Sequence, residues 1–169
     1  AIGGGTIRDV ILQTPVFWVV KPYYLYVILA TAILTILLVR RPRLIPKRFL
    51  MVSDAFGLAL FAVLGTEKAM SLGAPASVAV VMGTITGVAG GMIRDVLCNV
   101  IPMILRQEIY ATAAALGGGL FVLSQWLGWE AQFSLLFSIS GALILRLAAI
   151  YWKVSLPAFE IVEKPKNKD

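Results

Sequence analysis

One short stretch occurs twice in this chain, and it constrains the fold more than any other feature. Gly4-Gly5-Thr6-Ile7-Arg8-Asp9-Val10 returns as Gly90-Gly91-Met92-Ile93-Arg94-Asp95-Val96, six of seven positions identical at an offset of 86 residues, and Tyr24 and Tyr110 share that offset. Each copy sets a glycine pair and an Arg-Asp pair into apolar surroundings, where charge is expensive and is kept for a task. The chain is therefore expected to hold two related units, each with an equivalent site.

The surroundings decide the medium. With 59% hydrophobic and 14% charged residues and a mean hydropathy of +0.88, the chain reads as an all-α integral membrane protein. The formal charge of +6 does not point to nucleic acid, because the basic residues lie between apolar spans, where lysine and arginine set membrane orientation. The single cysteine, Cys98, has no internal disulfide partner, and without histidine neither a Cys/His metal cluster nor a histidine-based triad can be built. No cofactor, resident metal or enzyme chemistry is expected.

The first motif copy opens the chain. Forty-one residues, Phe49 to Ala89, precede Gly90, whereas three precede Gly4, a difference of 38. That length corresponds to one transmembrane helix and most of a second, so Ala1 to Leu12 reads as the tail of a truncated helix. Pro15 and Pro22 bracket an interfacial turn with Phe17, Trp18 and Lys21, and Tyr23 to Val39 forms an uncharged helix. Arg40, Arg41, Arg43, Lys47 and Arg48, interrupted by Pro42 and Pro46, mark a loop over 40–48 between the units. Phe49 to Thr66 is apolar except for Asp54. The next helix begins near Pro75, carries no charge until Arg94 and ends before Pro102. Ile109 to Trp129 and Ala131 to Trp152 are the last spans, and 153–169 is a polar tail.

Counting charges orients the chain. If the 40–48 loop is cytoplasmic, alternation of spans puts 12 of the 15 cations on that side, leaving Arg8, Lys21 and Lys68 for the other. Two complete spans separate the motif helices, which must then run antiparallel. The expected architecture is seven transmembrane helices, two inverted three-helix repeats plus a seventh helix, with the first helix and part of the second absent from this chain. Its parts are 1–39 as the remainder of the first repeat, 40–48 as the cytoplasmic loop, 49–129 as the second repeat, 130–152 as the seventh helix and 153–169 as a cytoplasmic tail.

Inverted repeats place equivalent broken helices about a pseudo-two-fold axis, an arrangement from which transporters and some pores build a central path. Adjacent glycines weaken a helix and let it kink, freeing carbonyl oxygens that can coordinate a passing cation transiently. The competing role for Gly4, Gly5, Gly90 and Gly91 is close helix packing. Arg8 and Asp9, like Arg94 and Asp95, are sequence neighbours about 100° apart on a helix, so each ion is expected to seek a partner on another helix or in water. Asp54 has the same need. These charges are expected to line or cap a hydrated route near opposite membrane faces, against the alternative of snorkelling to the headgroups.

Gly83, Gly87 and Gly91 recur every fourth residue and offer a side-chain-free packing face. Gly117-Gly118-Gly119, among Ala113, Ala114 and Ala115, also reads as a packing face, as does the Ser134 and Ser138 pair. Arg146 is expected to snorkel inward toward the cytoplasmic face, and Cys98 to be inert.

The paired Gly-Gly-x-Ile-Arg-Asp motifs, with Asp54-Ala55-Phe56-Gly57-Leu58-Ala59 and Phe61-Ala62-Val63-Leu64-Gly65, resemble the prokaryotic branch of the trimeric intracellular cation (TRIC) channel family, over the chain to about Trp152. The resemblance implies a homotrimer in a bacterial inner membrane, with membrane lipids around it. It also implies monovalent-cation conduction, potassium favoured, along a path within each protomer. By that likeness Gly3, Gly4 and Gly5, matched by Ala89, Gly90 and Gly91, are the kink positions, and the alanine makes the halves unequal. Related sequences carry the label of glycine transporters, so a secondary transporter of a small solute stays open, as does a non-conducting membrane scaffold.

Overall fold

The computed structural model describes residues 2–38, 47–106 and 109–152. Among them the secondary structure is entirely helical: α1 (Gly3–Ile11), α2 (Phe17–Val20), α3 (Tyr23–Leu38), α4 (Lys47–Ser71), α5 (Ala76–Leu97), α6 (Met103–Arg106), α7 (Ala111–Trp126) and α8 (Ala131–Trp152). Helix is the form in which an apolar segment satisfies its own backbone inside a bilayer. Arg48–Ser71, Ala76–Leu97 and Ala131–Trp152 are long and apolar enough to cross a membrane, and Tyr23–Leu38 is a shorter apolar helix. The span expected over Ile109 to Trp129 forms its helix over Ala111–Trp126, closed by Gly128 at a φ of 77°. The 153–169 tail and most of the 40–48 loop lie outside the described residues. The end of that loop, Lys47 and Arg48, belongs to α4.

The antiparallel pair α4 and α5 is the spine. Lipid supplies no hydrophobic drive between helices, so their contact depends on how closely the backbones approach. The small face of α5 makes that approach possible. A methyl group on Gly83 would overlap the Thr66 hydroxyl and the Ala62 carbonyl, and one on Gly87 would lie 2.9 Å from the Leu58 carbonyl oxygen. α7 packs against both α4 and α5 and α8 against α4 and α7, closing a core of Leu58, Ala62, Val88, Tyr110, Ala113 and Ala114. Two of the three consecutive glycines pack as expected: a methyl on Gly117 would meet the Ala142 Cβ at 2.8 Å and one on Gly118 the Thr66 hydroxyl at 2.6 Å. Gly119 has open space beside it. Ser134 and Ser138 are fully buried with no hydrogen-bond partner for either hydroxyl, as small residues at a helix interface.

α1 crosses α5 backbone to backbone. A Cβ on Gly4 would overlap the Thr86 carbonyl oxygen and sit 3.4 Å from the Gly90 nitrogen. The repeat-equivalent glycines thus meet each other at the crossing. α3 differs from every other long helix in having no buried residue, and it packs only lightly on α2.

Candidate functional site

The two motif copies fold alike, nearly atom for atom. After Arg8 and Asp9, α1 stops with Leu12 N donating to Arg8 O and Gln13 in the left-handed region at φ 52°. After Arg94 and Asp95, α5 stops with Cys98 N donating to Arg94 O and Asn99 at φ 54°. The chain then turns into a four-residue helix in both copies. Asp9 Oδ2 accepts from Phe17 N (2.9 Å), and Asp95 Oδ2 accepts from Met103 N (3.0 Å). Each aspartate therefore holds the start of the next helix, where unpaired N–H groups welcome a carboxylate.

The other aspartate oxygen corrects the expectation that sequence neighbours do not satisfy each other. Arg8 Nε donates to Asp9 Oδ1 at 2.8 Å, and Arg94 Nε donates to Asp95 Oδ1 at 2.9 Å. In both copies Nη2 lies 2.8 Å from the same oxygen. The long arginine stem curls back across the angular gap that a short side chain cannot bridge. Partners on another helix are present as well, both supplied by α4. Lys68 Nζ donates to Asp9 Oδ1 (2.7 Å), and Arg94 Nη1 donates to Asp54 Oδ1 (2.6 Å).

Between these two clusters lies a cavity of about 600 Å³ bounded by α1, α4 and α5. Seven of the ten expected site residues line it: Gly4, Gly5, Arg8, Asp54, Gly90, Gly91 and Arg94. Gly3 does not; a methyl there would meet Ile93 at 2.7 Å, which makes it a packing position. Asp9 and Asp95 do not line it either, being buried behind their arginines. Asp54 and Lys68 are 14 residues apart on α4 (68 minus 54), which sets the two ends of the cavity about 21 Å apart along that helix. α1 and α5 run as uninterrupted helix through their glycine pairs.

The lining also includes residues with no expected site role, among them Phe17, Tyr24, Thr86 and Lys68. The shared offset of Tyr24 and Tyr110 was a signal for one of them. Arg146 corrects a second expectation. It does not snorkel: it is fully buried, its Nη1 donates to Ile109 O at 3.1 Å, and its guanidinium stands 4.7 Å from the centre of the Tyr110 ring. A carbonyl and an aromatic face close at hand on the segment entering α7 hold a charge that would otherwise reach for the headgroups.

Comparison with known proteins places the chain among relatives. A family model described as "Glycine transporter" matches residues 1–40 and 51–126. A UPF0126 membrane protein of Vibrio cholerae is 48% identical over 164 residues, covering 96% of this chain and 69% of the relative. The UPF0126 inner membrane protein YadS of Escherichia coli K12 is also 48% identical, over 96% of this chain and 80% of its own. The TRIC channel orthologue from Rhodobacter sphaeroides superimposes with a TM-score of 0.82 at 42% identity, covering 89% of this chain and 78% of that one. The chain belongs to the prokaryotic branch of the TRIC family. A second TRIC cation channel aligns with a TM-score of 0.81 at 34% identity over 95% of this chain and 79% of its own. The resemblance drawn from the doubled motif is thus a relationship of the whole fold.

Proposed function

We propose that this TRIC-family chain is a cation channel of the bacterial inner membrane, passing monovalent cations, potassium favoured, through the cavity between α1, α4 and α5. The protein works as a homotrimer with one path per protomer. The observation that carries this is the cavity itself: one wall is helix backbone bared by Gly4, Gly5, Gly90 and Gly91, and a charge cluster stands at each end. Bare backbone lets an ion approach carbonyl oxygens closely, and charges at the mouths set which ions enter. The likeness to TRIC channels and the inner-membrane relative support the same reading.

Four finer elements belong to the proposal. The two motif units are inverted repeats within a seven-helix plan divided at 1–39, 40–48, 49–129, 130–152 and 153–169, with the loop and tail cytoplasmic. The glycines of α1 and α5 are the points at which those helices bend during gating and offer carbonyls transiently. Arg8, Asp9, Asp54, Arg94 and Asp95 are the charges that gate or steer. Membrane lipids surround the assembly.

Single-channel recording on the purified full-length protein in planar bilayers under a potassium chloride gradient tests this. Discrete openings that reverse near the potassium equilibrium potential are expected. A silent bilayer after verified insertion of trimers would overturn the proposal. The matching family description favours a second reading, a secondary transporter of a small solute such as glycine. Saturable, substrate-coupled uptake in proteoliposomes without channel openings would establish that reading instead.

A further inference from the structure

The repeat-equivalent tyrosines do different things. Tyr24 lines the cavity, half-buried, its ring against Phe17 at 5.0 Å. Tyr110 is buried behind the wall with only 2% of its surface exposed, and its hydroxyl occupies the place where a Gly91 side chain would begin, 2.6 Å from that Cβ position. Asp54 Oδ1 faces the same point at 3.4 Å. Beside Tyr110 stands Arg146. Its guanidinium grips the chain entering α7 twice, through the Ile109 carbonyl and through the face of the Tyr110 ring, while its Nε and Nη2 have no partner. A buried arginine with two nitrogens lacking hydrogen-bond partners, and with Asp54 acting on it only through space and not in a salt bridge, is a costly arrangement for packing alone. It sits on α8, the helix that follows the second motif unit, and among the described residues Tyr24 makes no such contact with an arginine.

We propose that Arg146 is a positioning residue for conduction: it pins Tyr110 out of the path and against Gly91 and Asp54. The Arg94 end of the cavity is thereby kept clear of the Tyr110 ring, whereas Tyr24 stands in the wall at the other end. Without that grip only the hydrogen bond to Asp54 still holds the Tyr110 side chain, and the ring can swing toward the position its counterpart Tyr24 holds, into the cavity wall, where a second ring narrows the route. This inference rests on the channel reading above.

The test is single-channel recording on full-length trimers, which counts only folded, inserted protein. Arg146→Met is expected to lower the current through each open channel by about twofold or more. Arg146→Lys, which keeps a cation under the ring, is expected to restore most of it. Tyr110→Ala placed in the Arg146→Met background is expected to restore the current by removing the ring that obstructs. If the methionine variant yields no trimers, Arg146→Gln replaces it, since it keeps a donor for the Ile109 carbonyl but not the charge under the ring. Unchanged unitary current in Arg146→Met, or in its glutamine substitute, with fewer trimers or a lower melting temperature, would mean a purely structural arginine and overturn the inference. Failure of Tyr110→Ala to restore current would also overturn it. A wild-type protein that passes no current sinks the channel reading instead, so the two failures are told apart.

Discussion

The two ends of the cavity are built from the same seven-residue motif, yet α4 completes them with opposite charges. At the first end Arg8 and Lys68 share Asp9, two cations to one anion; at the second Asp54 and Asp95 share Arg94, two anions to one cation. The local framework is identical, down to a left-handed residue and an aspartate holding the next helix. The difference teaches that a duplicated motif supplies the scaffold of a site, while the helix packed against it supplies the electrostatics. For a cation the Asp54 end attracts and the Lys68 end repels, so the two mouths are expected to act unequally on current.

The largest test of that contrast is removal of the aspartates. Asp9→Ala strands Arg8 and Lys68 together and frees the Phe17 N–H, and is expected to cost about 3 kcal/mol or more. Asp95→Ala leaves Arg94 its Asp54 partner and is expected to cost about 1–2 kcal/mol. Thermal melting of purified trimers measures both, and equal losses would break the comparison.

Next come the glycines at the crossing. Gly4→Ala drives a methyl into the Thr86 carbonyl, backbone that has nowhere to move, and is expected to destabilise by about 3 kcal/mol. Gly90→Ala meets nothing nearer than the Gly4 nitrogen at 3.9 Å, so melting is expected to be almost unchanged. A loss of current in folded Gly90→Ala would then speak for a bending role rather than packing.

The charges on α4 should act on current with opposite sign. Lys68→Met is expected to raise unitary potassium current and Asp54→Asn to lower it, each by about twofold, with both effects shrinking at high salt. Current–voltage curves in dilute and concentrated potassium chloride check this. Changes of the same sign would show that the ends do not oppose each other.

The smallest effect concerns the helix stops. Gln13→Gly relieves a left-handed glutamine and is expected to stabilise by about 1 kcal/mol, whereas Asn99→Gly gains less because asparagine already tolerates that region. Differential melting of the two variants resolves it.

Much of this is legible in the sequence. The apolar spans, the repeat offset and the special status of Gly4, Gly5, Gly90, Gly91, Arg8, Arg94 and Asp54 all follow from the chain alone, and these seven line the cavity. The aspartate caps were hidden in plain sight: Asp9 to Phe17 and Asp95 to Met103 are both eight residues, a spacing too long for helix-face arguments. The pairing of adjacent Arg and Asp was misjudged because angular position on a helix ignores the reach of an arginine stem. Arg146 was misjudged because its proximity to a helix end says nothing about what stands beside it.

Sequence by itself determined what acts within a few residues or through the solvent. Uninterrupted apolar runs must become helices because a bilayer leaves backbone groups no other partner, and an identical motif repeats its own stop, turn and cap. Only the tertiary structure decided which α4 charge meets which arginine, that Gly4 rather than Gly90 tolerates no side chain, and that Arg146 lies inside with Tyr110. Those outcomes depend on distances between helices, and in a membrane such distances are set by close packing of small residues, which composition does not reveal.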